Sequence, residues 1–520
     1  MHSVVSSSVY LWVILKYATG VNILLLDYVE SPSHYIWNYA FVEGLMEKGH
    51  NITMLGPFVD KNNSTGKYHP IVLDGISEAI VANSDIHMAG GHWASHPLLS
   101  IKAFMDFQFI SCNHSYHTNG FRTLWNYPDD FKFDLIITDM TLGPCLYPFI
   151  QKFGYPPTIG VTAYLLPSSV SDIFGNGVQP SFLPLFHVEF TENMDFSQRV
   201  TNFIYTHLET VLRQWYELAA TEKLARRLLG TEVDDFGDIQ RHISLVLANL
   251  DPTVHYARPL TPNIIPVGGL HVKDARKLPD DLRSIANNAK NGVILFCLGS
   301  NVHSSKLGNN VINNILSAFS QLKQTVVWKF EEKLENVPKN VFVRKWLPQN
   351  DILGHPNTKL FISHGGALST YEAMYHGVPI IGMPFFLDQK TTVDFLVERK
   401  LALKVDPKNF TAEMLMNTIQ EMLNNAQYSH LTKEYSSRMR DQPQTPLQRA
   451  VFWAEYVIRH KDAAHFLSPK SRDMSLFVSS STDVILFLAV VLIVSLFVIC
   501  TVVRKMYGCL FRSTKKEKSD

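Results

Sequence analysis

Residues 21–56 read VNILLLDYVESPSHYIWNYAFVEGLMEKGHNITMLG, and their periodicities decide the fold class. The apolar run 21–27 is nearly continuous rather than alternating, as a strand covered on both faces must be. After it, Trp37, Ala40, Phe41, Gly44 and Leu45 recur at three- and four-residue spacing and form one helical stripe. Gly49 stands where a C-cap glycine belongs, and a second apolar run follows at 51–55. Strand, helix and strand in this order make a βαβ unit, so the expected sheet is parallel, with helices on its faces.

Outward from this unit, similar runs recur at 133–138, 158–162 and 243–248. A second series follows at 292–298, 325–330, 341–345, 358–362 and 378–382. Between the series lie Pro252, Pro259, Pro262 and Pro266, then Gly268 and Gly269. The expectation is an α/β protein of two doubly wound domains, 21–248 and 289–445, joined by a linker at 249–288. Its ligand would lie between them, at the carboxyl ends of the strands. The stretch 70–240 is looser and rich in aromatics, among them Phe104, Phe107, Phe109, Phe182, Phe186 and Phe190. These suit either ordinary core packing or the lining of an apolar pocket. Residues 446–483 open with an amphipathic helical stretch, with Leu447, Val451 and Phe452 as candidates for packing back on the body.

The ends read as targeting and anchoring. Residues 1–20 hold a short apolar run, 9–15, followed by Ala18-Thr19-Gly20, in the manner of a secretory signal peptide. Val484 to Val503 carries no charge over 20 residues, which as a helix spans about 30 Å, the thickness of a bilayer's hydrocarbon core. Arg504-Lys505 follow at once, so the tail 504–520 is expected in the cytosol and the body across the membrane, as a single-pass type I protein. Lys516 and Lys518, fifth and third from the end, resemble a dilysine retrieval signal for the endoplasmic reticulum. Asn62, Asn63 and Asn113 begin glycosylation sequons in polar, loop-like sequence, whereas Asn51 begins one in an expected strand.

Charge and cysteine content exclude several classes. Of 47 basic residues, one lies before residue 21 and six after residue 503, leaving 40; of 47 acidic residues two lie after 503, leaving 45. The body is therefore mildly acidic, which argues against a nucleic-acid partner. Five cysteines with no CxxC are too few for a disulfide scaffold or zinc ribbon. His92 and His96 are four apart, but no acid or third ligand accompanies them, so they read as loop histidines.

The chemistry concentrates in residues 341–389, VFVRKWLPQNDILGHPNTKLFISHGGALSTYEAMYHGVPIIGMPFFLDQ. A strand ends at Ser363-His364-Gly365-Gly366, a turn that lets a phosphate approach the N–H groups opening the next helix. His364 and Ser369 can donate to phosphate oxygens, and Glu372 can accept both hydroxyls of a ribose diol. Trp346 offers a flat face for a base, Gln349 a paired donor and acceptor, and Asp388-Gln389 acceptors and donors for sugar hydroxyls. By spacing alone this suits a nucleotide-sugar site, and a structural glycine turn with a capping serine stays open.

The same residues resemble the signature of the UDP-glycosyltransferases, the UDP-glucosyl- and UDP-glucuronosyltransferases, and in particular its invertebrate membrane-bound members. The match runs through Phe342, Val343, Trp346, Pro348, Gln349, His355, Pro356, His364, Gly365, Gly366, Ser369, Glu372, Gly377, Pro379, Pro384, Asp388 and Gln389. The resemblance implies a GT-B fold: two Rossmann-like domains facing a cleft, acceptor site in the first, UDP-sugar site in the second. It implies that Trp346 stacks on uracil, Gln349 bonds the ribose or uracil, and Glu372 binds ribose. Ser300, His364, Gly366 and Ser369 would hold the diphosphate, and Asp388 and Gln389 the sugar. It implies direct inverting transfer, with no metal and with the UDP-sugar as co-substrate rather than cofactor. The family's base is a histidine in the loop after the first strand, here His34, and its orienting carboxylate follows 133–138, here Asp139. Three departures bear on sugar placement: Leu368 where many members have Asn, Thr391-Thr392 where an Asn is usual, and no glycine in 398–402.

The resulting expectation is transfer of a sugar, glucose by resemblance, from UDP to a hydroxyl of small lipophilic acceptors, a detoxification-type conjugation in the endoplasmic reticulum membrane. The other class that fits is a catalytically silent, membrane-anchored binder of lipophilic molecules, and retention of both His34 and Asp139 speaks against it. Homo- or hetero-oligomer formation is left open.

Overall fold

A computed structural model describes residues 20–60, 66–83 and 96–516, with side chains as far as residue 508. Residues 1–19 of the expected signal peptide, Asn62, Asn63, His92 and Lys518 lie outside the described residues, and Asn113, expected in a loop, lies in the helix Pro97–Ser115. The chain divides into two compact units, Met1–Ser468 and Pro469–Asp520.

The first unit is built on two parallel sheets. Strands β1 (Asn22–Leu26), β2 (Asn51–Gly56), β3 (Tyr68–Val72), β4 (Leu135–Asp139), β5 (Thr158–Thr162), β6 (Ile243–Ala248) and β7 (Ile264–Pro266) form one, in the order β3-β2-β1-β4-β5-β6-β7. Strands β8 (Val293–Cys297), β9 (Thr325–Lys329), β10 (Val341–Arg344), β11 (Thr358–Ser363), β12 (Ile380–Gly382) and β13 (Ala402–Lys404) form the other, in the order β10-β9-β8-β11-β12-β13. In both sheets the strand order reverses at one point, between β1 and β4 and between β8 and β11. Crevices for ligands open at such switch points, outside the carboxyl ends of the strands. The central strands β1, β4, β8 and β11 are buried almost throughout, which is why they read as unbroken apolar runs.

Three strands escaped the sequence reading. The strand β3, YHPIV, carries His69 and Pro70 at a sheet edge, the place where a proline's missing N–H does no harm. The stretch 249–288, read as linker, contributes β7 to the first sheet. Both β7 and β13 have three residues, too short for any periodicity, and both lie at edges.

After the second sheet the chain returns to the first. The helix Pro446–Arg459 opens on a capping box, with Thr445 and Gln448 each bonding the other's backbone. Its Ala450, Val451, Ala454 and Val457 enter the same core as Trp37, Phe41 and Leu45 of the helix Pro32–Glu47. The two helices meet at Gly44, where a Cβ would stand 2.8 Å from Leu447 Cδ1 and 3.1 Å from Val451 Cγ2, so a larger residue would require these side chains to shift. A disulfide joins Cys112 to Cys145, and Tyr116 donates from its hydroxyl to the Cys145 carbonyl (2.7 Å).

The second unit contains the helix Thr482–Lys516. Within its stretch Thr482–Gly508 the most apolar 18 residues have a mean hydropathy of 3.2 and none of them is buried, and the stretch is long and apolar enough to cross a membrane. The expected span, 484–503, falls inside it.

Candidate active site

At the first switch point the register pairs Leu26 with Thr138. The next residues, Asp27 and Asp139, therefore come side by side at the strand ends, both buried. Ser31 is the N-cap of the helix Pro32–Glu47, whose first turn points His34 back over these strands. His34 Nδ1 meets Asp139 Oδ2 at 3.2 Å. The Asn38 amide, one helical turn on, donates to Asp27 Oδ2 (3.1 Å) and to Asp139 Oδ2 (3.2 Å). The Asp139 Oδ1 accepts from the Thr141 N–H (2.8 Å), and Asp27 Oδ1 from the Val29 N–H (2.8 Å).

The electrostatics follow from this burial. Burial alone would lower the His34 pKa, but the hydrogen bond and charge of Asp139, joined by Asp27 and Asp388, outweigh it and raise His34 above its usual 6.5. Burial pushes Asp139 upward, yet His34 and the Thr141 N–H hold it below the usual carboxylate range. Asp27, with no cation in direct contact, is pushed up by burial, and further by Asp139, to about 7. With Nδ1 turned to Asp139, the imidazole keeps Nε2 for another group. That is the arrangement of a general base whose tautomer is set by a carboxylate.

At the second switch point Ser363 is in register with Cys297, which brings the turns after β8 and β11 together. His364 lies between two glycines: a Cβ on Gly299 would stand 2.5 Å from its Cε1, and one on Gly366 2.3 Å from its Nε2. Gly299 and Gly365 also have φ of +78° and +82°, conformations that favour glycine. Burial, aided by the charge of Lys329, pushes His364 down to about 4, so it is a neutral donor at pH 7. Gln349 donates to Ser369 Oγ (3.0 Å) and to Glu372 Oε2 (2.6 Å). Burial raises Glu372 to about 7, with Gln349 opposing and Asp351 adding. Asp388 opens the helix Asp388–Glu398 and is raised by burial to about 6, against the pull of His34 and of the Ala367 N–H. Trp346 leaves 65% of its surface exposed.

One cavity of about 460 Å³ joins the two switch points. His34, Ser300, Trp346, Gln349, His364, Gly366, Ser369, Glu372, Asp388 and Gln389 all line it, and Asp139 stands behind His34 outside the wall. Gln389 differs from expectation in detail. Its Oε1 accepts from the Phe385 and Phe386 N–H groups (2.9 and 3.3 Å), so its amide NH₂ is the group left to offer a ligand. Of the aromatics in 70–240, Phe104 and Phe107 reach the cavity, beside Leu142 and Tyr164. Phe186 packs edge-on against Tyr164, and Phe182 is on the surface.

A family model, "UDP-glucoronosyl and UDP-glucosyl transferase", matches residues 24–517. The chain belongs to the UDP-glycosyltransferase family. The transferase is 32% identical to UDP-glucosyltransferase 2 of Dactylopius coccus over 509 residues, covering 97% of each chain. It is 30% identical to human UDP-glucuronosyltransferase 2B15 over 546 residues, covering 99% of each. Among solved structures it is similar to UGT2 of Phytolacca americana complexed with UDP-2-fluoroglucose and pterostilbene. That likeness has a TM-score of 0.56 at 15% identity and covers 84% of this chain and 99% of that one. A calicheamicin glycosyltransferase, CalG4, gives 0.56 at 13%, covering 85% and 99%. At such identity these show the fold, which is GT-B.

Several residues of the transferase's site were not picked out from sequence. Asn38 holds Asp139 from behind and ties it to Asp27. Lys329 ends β9 and lines the cavity, donating to the Gly299 carbonyl (2.9 Å) and to Glu331 (2.9 Å). Asn301, also in the wall, donates to Ser31 Oγ (3.0 Å) and so links the two halves. The available signal was a charged or amide residue at the carboxyl end of an apolar strand or inside an apolar helical stripe. His96, a loop residue by sequence, caps the helix Pro97–Ser115 through Nδ1, which accepts from the Leu98 N–H (3.3 Å).

Proposed function

We propose that the transferase moves glucose from UDP-glucose directly to a hydroxyl of small lipophilic acceptors, with inversion at the anomeric carbon. The observation that carries this reading is the 3.2 Å contact of His34 with buried Asp139 at one side of a cavity whose other side carries Trp346 to Gln389. His34 Nε2 takes the acceptor proton as the oxygen attacks. Asp139 holds the tautomer and stabilises the imidazolium, the Asp139–His34 pair contributing about 10²–10⁴-fold. Trp346 stacks on uracil, Glu372 and Gln349 take the ribose, and Ser300, His364, Gly366 and Ser369 take the diphosphate, with Lys329 as a cation close by. Asp388 and Gln389 hold the sugar. Phe104 and Phe107 favour an apolar acceptor body.

Residues 484–503 of the helix Thr482–Lys516 serve as a single-pass anchor, with residues 21–483 in the lumen of the endoplasmic reticulum. The disulfide Cys112–Cys145 fits an oxidising compartment.

The test is turnover of His34→Ala on a phenol, an alcohol and a thiol, with UDP affinity measured alongside. Transfer to the phenol and alcohol is expected to vanish, some transfer to the thiol to survive, because a thiol ionises more readily, and UDP affinity to change little. Full alcohol turnover in this variant sinks the assignment of His34 as the base, whereas absence of transfer by the native chain to every acceptor would return the silent-binder reading.

A further inference from the structure

His34 and Asp139 do not stand alone. Asn38 lies one helical turn beyond His34 on the same face of the helix Pro32–Glu47 and is wholly buried, as Trp37 and Phe41 are. Its single NH₂ group serves two carboxylates: Nδ2 donates to Asp139 Oδ2 at 3.2 Å and to Asp27 Oδ2 at 3.1 Å. Asp139 Oδ2 therefore meets two groups, the imidazole Nδ1 and the Asn38 amide. The amide oxygen, Asn38 Oδ1, is buried and has no donor among the described residues. Turning the amide over would point that oxygen at two carboxylates, so they fix which way round it sits. For stability alone the arrangement is poor. A buried carboxylate without a cation and a buried carbonyl without a donor both weaken a fold. Apolar residues at 27 and 38 would simply continue the strand Asn22–Leu26 and the helical stripe. Local rules are broken in this way where a site is built.

We propose that Asn38 and Asp27 are positioning residues of the transfer reaction: Asn38 holds the Asp139 carboxylate against His34 Nδ1, and Asp27 anchors the amide by its second hydrogen so that it does not swing away. The proposal rests on the reading of His34 as the base. When the acceptor hydroxyl attacks, its proton passes to His34 Nε2, and the imidazolium so formed leans on Asp139 Oδ2 through its Nδ1–H. The other hydrogen bonds on the Asp139 carboxylate come from Thr141, on Oδ1, and from Asn38, on Oδ2. Without Asn38, Oδ2 is free to turn about the last bond of its side chain and to draw the imidazole with it. Asp27 also suits the task by its charge. Burial and the charge of Asp139 keep its proton on up to about 7, so below that value the two carboxylates carry one negative charge between them, on Asp139, where the imidazolium forms. The one further carboxylate acting on His34 is Asp388, from the second half.

The test uses the full-length chain in membranes and two variants, Asn38→Leu alone and Asn38→Leu combined with Asp27→Leu. The second replaces donor and acceptor together, so that neither is left buried without the other. Turnover is measured on a phenol and on a thiol, with UDP affinity by calorimetry. With the phenol, kcat is expected to fall by about ten-fold or more, short of the roughly 10²–10⁴-fold that the base contributes, while KM changes little. With the thiol the fall is expected to be smaller, and UDP affinity to hold. In a His34→Ala background the same changes are expected to cost the surviving thiol transfer nothing, because the group they position is gone. Equal losses with phenol and thiol, a further loss on top of His34→Ala, or failure of both variants to bind UDP assigns the pair to the fold and overturns the proposal. Full alcohol turnover by His34→Ala overturns the base assignment and this proposal with it. Loss of that turnover in His34→Ala, beside native phenol turnover in both Leu variants, overturns this proposal alone.

Discussion

Gly366 lies so close to His364 that a methyl group on it would stand 2.3 Å from the imidazole Nε2. The imidazole lies between this glycine and Gly299 and borders the cavity, so relief of the clash lies towards the cavity. Gly366→Ala should therefore displace the ring from the diphosphate position. Overpacking of this kind costs about 1–3 kcal/mol of folding stability, and the displaced ring is expected to weaken UDP binding, read by calorimetry. Unchanged UDP affinity would place His364 outside the donor site.

Glu372 gives two readouts. Glu372→Ala should weaken UDP binding by about 1.5–3 kcal/mol, since the ribose loses a charged acceptor. The carboxyl sits at about 7 in the free protein, and a diol donating to it favours the ionised form. UDP binding should thus release a proton near neutral pH, and affinity should rise as pH rises through that value. Calorimetry in buffers of different ionisation enthalpy reads the proton, and the part due to Glu372 should disappear in Glu372→Gln.

A base must be neutral to accept a proton. Because Asp139 raises His34 above 6.5, the acid limb of kcat/KM for a phenol should fall above that value. Asp139→Asn removes the charge, so the limb should move to lower pH while the plateau drops by about 10²–10⁴-fold. A limb that stays in place would separate Asp139 from the titration of His34.

Asp27 supplies a stability test with a definite sign. Its carboxyl is raised from 3.8 to about 7 in the folded chain, so the folded state binds the proton more tightly than the unfolded state. The stability this contributes is full below the unfolded value and is lost as pH rises through about 7. Relative to the native chain, Asp27→Asn should gain stability as pH rises from about 4 to about 8, measured by urea unfolding at each pH. A difference independent of pH would mean that Asp27 titrates like an exposed carboxyl.

What was legible in the sequence follows from where information is concentrated. The core strands could be read because burial on both faces demands uninterrupted apolar runs, as in β1 and β8. The donor side could be read because its contacts, Ser300 and Lys329 apart, fall in one 49-residue stretch, 341–389, set by strand-end turns and one helix start. Asp27 and Asn38 could not, because a lone polar residue in an apolar element looks the same whether it faces solvent or a second carboxylate. The helix Phe196–Val211 shows the limit most plainly. Its amphipathic pattern is present in the sequence, but which face is turned inward depends on contacts made across the fold, such as that of Arg213, just beyond the helix, with the Thr141 carbonyl.

The returning helix Pro446–Arg459 makes the order of synthesis matter. The core around Trp37 and Phe41 stays open on one side until Ala450 and Val451 arrive, some 400 residues after β1. At about 5–20 residues per second, the amino-terminal half waits about 20–80 s with that groove uncovered. A nascent chain in this state presents an apolar surface to whatever chaperones are at hand. A chain cut short after residue 445 keeps every residue of the candidate site yet leaves the groove permanently bare. A chimera that exchanges amino-terminal halves between relatives must bring along the matching partner of Gly44, the segment 446–459, or two surfaces that never met will be asked to close one core.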